Sequence, residues 1–151
     1  MEALEIHPLV DAREARFDSL VHLYYAYLDH FQVKYSPARI RSLLTDALGE
    51  VWFHCLTAHF GDTTVGFCVF TNSYSPIWCC LAYTLNDIYI RAGCRGHGYG
   101  SALIDAIVVY GAAAGVHKLS ALVDPNDPRS ARFYSRNGFG DGDTSIAIKV
   151  F

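Results

Sequence analysis

The run Arg95-Gly96-His97-Gly98-Tyr99-Gly100-Ser101 lies where an apolar, strand-like stretch gives way to an amphipathic helical one. Glycine in a helical turn costs about 1 kcal/mol relative to alanine, so three on one first turn need a reason. A helix N-terminus offers unpaired N–H groups and a partial positive charge, and it binds anions. Glycine lets a bulky anion approach the backbone and tolerates unusual dihedrals. Arg95 adds a guanidinium at the mouth of the turn. The spacing predicts a cradle in which a phosphate group lies against the amides, with all three side chains omitted to admit it. A nucleotide P-loop would need GxxxxGK[ST], and no lysine follows here. The dinucleotide pattern GxGxxG, with an acidic residue closing the next strand, is also absent.

Two further side chains have chemical potential. Asp87 sits inside "YTLNDIYI", where an acidic group needs a polar reason. On an alternating strand Asn86, Ile88 and Ile90 face one way, and Asp87 and Tyr89 the other. A salt bridge or turn contact elsewhere in the fold is the competing reading of Asp87. In "ARFYSRNGF", Phe133 and Tyr134 are about 100° apart round a helix and cannot both face one core. Phe133 packs more cheaply, because a buried tyrosine hydroxyl wants a partner. Tyr134 is therefore the functional candidate of the two.

The elements that position these residues follow from periodicity. "ALEIHPLV" reads as an opening strand, and Asp11 to Phe31 as a helix with Phe17, Leu20, Val21, Tyr24, Leu28 and Phe31 on one face. "SPARIRSLLTDALGE" starts a second helix with Ser36 as N-cap and Pro37 at its first position. "VWFHCLTAHF" and "TTVGFCVF" form a hairpin around Gly61-Asp62. After a loop, "SYSPIW", a strand covers Cys80 to Ile90. The glycine turn and a helix to Ala114 follow. "HKLSALV" reads as a strand buried on both faces. "DPRSARFYSRNG" is a short helix with Asp127 as N-cap and Gly138 at its end, and "TSIAIKVF" closes as a strand. The order β-α-α-β-β-β-α-β-α-β predicts an α/β fold with a mixed central sheet flanked by helices. No repeat or linker divides residues 1–151, which read as a single domain.

Composition narrows the function. The 151 residues are 52% hydrophobic and 18% charged, a balance suited to a sizeable core. Net charge is −3 with no basic stripe, which argues against nucleic acid as a partner. No stretch has the apolar length of a membrane span, and the N-terminus lacks a signal-peptide layout. Five cysteines without CxxC spacing, and no HxxxH or HExxH, predict no disulfide framework and no metal. A reducing, cytoplasmic setting is expected.

With this order of elements, the motifs resemble the GCN5-related N-acetyltransferase (GNAT) superfamily. "RGHGYG" matches that family's R/Q-x-x-G-x-G/A acyl-CoA signature at Arg95, Gly98 and Gly100, and "ARFYSRNGF" matches its second signature. Within the family, "VGFCVFTNSYSPIW…LAYTLNDIYIRAGCRGHGYGS" looks most like the spermidine/spermine (diamine) acetyltransferase branch. The resemblance implies acetyl-CoA as cofactor, with its pantetheine arm on backbone groups of Ile88, Tyr89 and Ile90. The pyrophosphate would rest on Gly96, His97, Gly98, Tyr99, Gly100 and Ser101, and Tyr134 would face the sulfur. The family asparagine falls on Asn126 or on the neighbouring slot, which Asp127 fills as a helix cap. The branch's Glu-Asp pair is here Asn86-Asp87, so one carboxylate of that branch is missing.

Acyl transfer to an amine requires a deprotonated amine, support for the oxyanion and a proton for the departing thiolate. An alkylamine of pKa ~10.4 is neutral in only ~1 of 2,500 molecules at pH 7, a penalty of about 4.6 kcal/mol. Tyr134 is the candidate acid and Asp87 the candidate for amine binding or deprotonation. Asn86, Tyr27 and Tyr74, with Tyr24, Tyr35 and Trp78, are candidates to wall the amine pocket. The expected reaction is N-acetylation of a small primary amine of diamine, polyamine or amino-acid type. A protein or antibiotic amine acetyltransferase and a non-catalytic acyl-CoA sensor are the alternatives. The family resemblance also implies a homodimer.

Overall fold

The apolar runs in the middle of the chain form one five-stranded sheet. The structure is a computed structural model that describes residues 3–140. In chain order its elements are β1 (Leu4–Pro8), α1 (Arg16–His30), α2 (Pro37–Leu48), β2 (Phe53–Phe60), β3 (Thr63–Ser75), β4 (Cys80–Ile90), α3 (Tyr99–Ala113), β5 (Lys118–Ala121) and α4 (Pro128–Arg136). The strands lie in sequence order, each antiparallel to the next except β5, which runs parallel to β4. This is the α/β order predicted from periodicity. The predicted closing strand "TSIAIKVF" lies outside the described residues. No helix among the described residues is long and apolar enough to cross a membrane.

Local signals explain several boundaries. Ser36 accepts a hydrogen bond from the Arg39 amide at 3.2 Å, with Pro37 opening α2. Asp127 caps α4, accepting from the Arg129 amide at 3.0 Å and the Ser130 amide at 3.3 Å. Three expectations are corrected. Helix α1 begins at Arg16 rather than Asp11, because Asp11–Glu14 form a turn in which the Glu14 carboxylate accepts from the Val10 and Asp11 amides at 2.9 and 3.1 Å. Strand β3 runs on through Ser75, since its polar end still pairs with Cys80–Thr84 through the backbone. The residues of β5 are each half-buried rather than buried on both faces.

The sheet separates two apolar layers. Phe17, Leu20, Ile40, Cys55, Phe67 and Val69 pack with α1 and α2 on one face. Leu56, Phe70, Leu85, Leu103, Ile104 and Ile107 pack with α3 on the other. Strand β4 changes allegiance between them. Tyr83 and Leu85 belong to the α3 layer, yet Tyr89, an even number of residues further on, packs in the α1 layer. The cause is a β-bulge. Leu85 pairs with Phe70 and Asp87 with Val69, so Asn86 is an extra residue with no partner on β3. One inserted residue reverses which face the following side chains occupy.

A buried histidine gives the fold a pH dependence. His59 exchanges hydrogen bonds with Thr57 Oγ1 (from Nε2, 2.8 Å) and Thr64 Oγ1 (from Nδ1, 3.1 Å). Burial, followed by the charges of Arg16 and His7, holds its pKa below the ordinary value, against a weaker opposite pull from Glu5. A histidine held down in this way adds stability that is present above its ordinary pKa and lost as pH falls through it. Urea unfolding should therefore show a loss of stability between about pH 7 and pH 5, flattened in His59→Gln. An unchanged profile in that variant would locate the acid sensitivity elsewhere.

Candidate active site

Beyond β4 the chain makes a short 3-10 turn, Ala92–Cys94, and passes through Arg95 into α3. Gly96 and Gly98 both have left-handed backbones, with φ of +83° and +80°, and Gly98 is the α3 N-cap. A Cβ at either would meet only open space, so backbone conformation, not crowding, reserves them for glycine. None of the amides from Gly96 to Ser101 donates to a backbone or side-chain acceptor among the described residues. They form an exposed group of donors at the positive end of a helix. Gly100 is different. A Cβ there would lie 3.0 Å from Phe133 Cε2 and 3.2 Å from Cζ. The missing side chain at Gly100 thus also makes room for the α4 ring.

The side chains at the turn mouth are held by local contacts. Arg95 Nε donates to the Ile90 carbonyl at 3.0 Å, and its guanidinium carbon lies 5.4 Å from the Tyr89 ring centre. The His97 and Tyr99 rings stack 5.6 Å apart, with His97 Nδ1 3.3 Å from the Cys94 carbonyl. Asn126 is exposed, and its own amide donates to Asp124 Oδ1 at 2.8 Å. Asp127 is committed to the cap, and hydrogen bonds from Ser130 hold its carboxyl below the usual carboxylate range.

Next to this cradle the sheet opens. The parallel pairing of β4 with β5 ends at Leu85 and Ala121. From Asn86 to Ile90 that edge of β4 has no strand partner among the described residues. Ile88 and Ile90 pack on the α3 side and Tyr89 on the α1 side. Asn86 is exposed, and its Oδ1 accepts from Thr71 Oγ1 at 3.0 Å. The bulge turns Asp87 toward α1, where its half-buried carboxylate accepts from Tyr24 at 2.8 Å (Oδ2) and from Tyr27 at 2.5 Å (Oδ1). Burial first, then Asp87, pushes both phenols well above the ordinary range. Tyr134 packs on the α3 side of the sheet, edge-on to Phe133 and Phe139. Burial, and after it the Asp87 charge, pushes its hydroxyl up as well.

The structure thus joins Asp87 to Tyr27, on the stretch of β4 that has no β5 partner among the described residues, with Tyr134 close enough to feel the Asp87 charge. It does not bring Tyr74 there. That residue lies five positions along β3 from Val69, the partner of Asp87, or roughly 17 Å at 3.4 Å per residue. Tyr74 and Trp78 are exposed at the far hairpin end, and Tyr35 lies under the Arg39 guanidinium after α1. The bond from Tyr24 to Asp87 was not foreseen. Its signal was the i, i+3 spacing with Tyr27, which sets two phenols on one helical face.

Comparison with known proteins identifies the family and the fold. Residues 17–139 match the Acetyltransferase (GNAT) family. A thialysine N-epsilon-acetyltransferase of Bos taurus is 30% identical over 119 residues, covering 73% of this chain and 68% of that protein. The fold is also that of a ribosomal-protein-alanine N-acetyltransferase from Brucella melitensis biovar Abortus 2308, with a TM-score of 0.82 at 21% identity over 98% of this chain and all of the other. An aminoglycoside N-acetyltransferase in complex with CoA has a TM-score of 0.84 at 14% identity, over 99% and 96% of the two chains. The chain belongs to the acetyltransferase (GNAT) family, enzymes that transfer the acetyl group of acetyl-CoA to an amine.

Proposed function

We propose that this acetyltransferase acts on the primary amine of a small cationic molecule of diamine, polyamine or amino-acid type. The observation that carries the reading is Asp87, a carboxylate turned by the Asn86 bulge into the opening beside the cradle, with its charge felt at Tyr134. Acetyl-CoA supplies an activated thioester. Its pyrophosphate fits the free amides from Gly96 to Ser101, with Arg95 alongside. The edge of β4 from Asn86 to Ile90 that has no strand partner among the described residues suits the extended pantetheine arm, which hydrogen-bonds as a strand would. The Bos taurus relative is named for acetylation of thialysine at the N-epsilon position, and this supports an acceptor with a terminal amine.

Within this arrangement Asp87 attracts and orients the amine. Tyr134 holds a proton on its hydroxyl at all working pH values, because burial and the nearby carboxylate oppose its loss. That proton is available to the departing sulfur, as general acid catalysis requires. Asn86 carries no charge and cannot act as a base, so the rate is expected to climb with pH toward the amine's own pKa.

Three outcomes test this reading. Gly98→Val forces a branched side chain into a left-handed backbone at the cradle, and calorimetry should find CoA binding weakened at least about tenfold with the fold retained. Gly100→Val should act differently, displacing Phe133 and lowering the melting temperature. Equal CoA affinity in Gly98→Val and the parent would remove the pyrophosphate from this turn.

Tyr134→Phe deletes one hydroxyl. Steady-state kinetics should show kcat falling at least tenfold, within the ~10²–10⁴-fold typical of general acid catalysis, with CoA affinity unchanged. A parental kcat would make Tyr134 a packing residue.

For the acceptor, thiol release should be measured against a panel of diamines, polyamines, amino acids, aminoglycosides and peptides. The best small amine should lose about 10- to 150-fold in kcat/KM in Asp87→Asn, the worth of one charge-assisted hydrogen bond. Preference for a peptide or an aminoglycoside would replace the small-amine reading.

A further inference from the structure

The Asp87 carboxylate is gripped at both oxygens by one helix. Tyr24 donates to Oδ2 and Tyr27 to Oδ1, so the plane of the carboxylate is set at two points. The phenols are themselves fixed. The Tyr24 ring stacks on fully buried Phe67 at 5.1 Å and 26°. The Tyr27 ring meets Phe67 and Tyr89 edge-on, each at 5.8 Å, and Phe31 at 5.1 Å. Their hydroxyls remain donors throughout the working pH range, since burial and the carboxylate keep them protonated.

We propose that Tyr24 and Tyr27 are positioning residues that hold the Asp87 carboxylate in the one orientation that receives the acceptor amine. This rests on the reading of Asp87 as the amine-binding group. Each carboxylate oxygen has two lone pairs. One on each is taken by a phenol, which leaves the other pair for N–H groups of the amine. The direction of the remaining lone pairs is therefore dictated by α1. Reaction rates depend steeply on such alignment, because a small misplacement of a reacting group takes it out of the attack geometry. A carboxylate free to rotate about its Cβ–Cγ bond would bind the amine in several poses, few of them directed at the thioester. A pair that merely stitched α1 to β4 would contribute to stability and leave the kinetics alone, and this difference makes the two roles separable.

The test is a set of double-mutant cycles. Tyr24→Phe and Tyr27→Phe are made singly in the parent and in Asp87→Asn, and kcat and KM are measured for the amine and for acetyl-CoA, with thialysine and a short diamine as probes. Removing either phenol should lower kcat/KM for the amine about tenfold, the scale of one hydrogen bond to a charged group, with KM for acetyl-CoA unchanged. In the Asp87→Asn background the same substitutions should change kcat/KM less than about twofold, because no carboxylate is left to orient. Equal effects in both backgrounds would overturn the proposal and leave the tyrosines a structural role. So would phenol variants that match the parent while Asp87→Asn is impaired. If Asp87→Asn alone matches the parent on every amine, the acceptor reading itself has failed. Melting temperatures and acetyl-CoA affinity confirm that each variant is folded, and if one tyrosine variant does not fold, the other carries the cycle.

Discussion

The placement of the Asp87 carboxylate depends on one residue of β4, Asn86, that has no partner on β3. Without the bulge at Asn86, Asp87 would follow Leu85 onto the α3 layer and put a carboxylate against Leu103 and Ile107. Burying an ionised carboxylate in such a layer without partners costs far more than one bulge. With the bulge, the same residue meets two phenols, solvent and the approach to Tyr134. The insertion comes directly after the last residue paired to β5. Reversal of the strand and opening of the sheet thus occur at the same place. Tyr134 of α4, on the α3 side, feels the charge of Asp87, which α1 holds, although the closed part of the sheet separates their layers.

The two ends of the cradle are built by different physics. At Gly96 and Gly98 the chain adopts backbone angles that leave amides pointing outward, and the space around them is empty. At Gly100 the missing side chain lets α4 settle against α3 through Phe133. Phe133 and Tyr134 are adjacent, so the seat that Gly100 gives the first ring also sets where the second hydroxyl sits. The glycine turn in this sense seats α4 as well as presenting free amides.

Much of the fold was legible because single residues mark it: Ser36 and Asp127 at helix starts, Gly61-Asp62 between strands, and the 3.6-residue spacing of Phe17, Leu20, Tyr24 and Leu28. The alternation of Asp87 and Tyr89 against Ile88 and Ile90 was also readable. Its phase relative to Tyr83 and Leu85 was not, because a bulge carries no obligatory residue and Asn86 looks like any polar strand position. The packing role of Gly100 was not readable, since its neighbour, Phe133, comes from a distant part of the chain. The site's aromatic wall was half legible. Tyr24 and Tyr27 stood on the right face of α1, but aromatics at helical spacing read equally well as core, and only the register of β4 shows what their hydroxyls touch. Tyr74 had no local feature to show that β3 would carry it to the far end of the hairpin.

The edge of β4 beyond Leu85, without a strand partner among the described residues, has a consequence for the protein in solution. A strand edge with free N–H and C=O groups invites pairing with another chain, and this is a common route to aggregation. Here the edge is short, kinked by a bulge, charged at its centre by Asp87 and followed at once by Arg91 and Arg95. Bulges, charges and short length are the devices by which natural sheets resist edge-to-edge association. The features that shape the opening beside β4 therefore also guard its edge against association. Replacing them with apolar, regular strand residues would create a sticky edge.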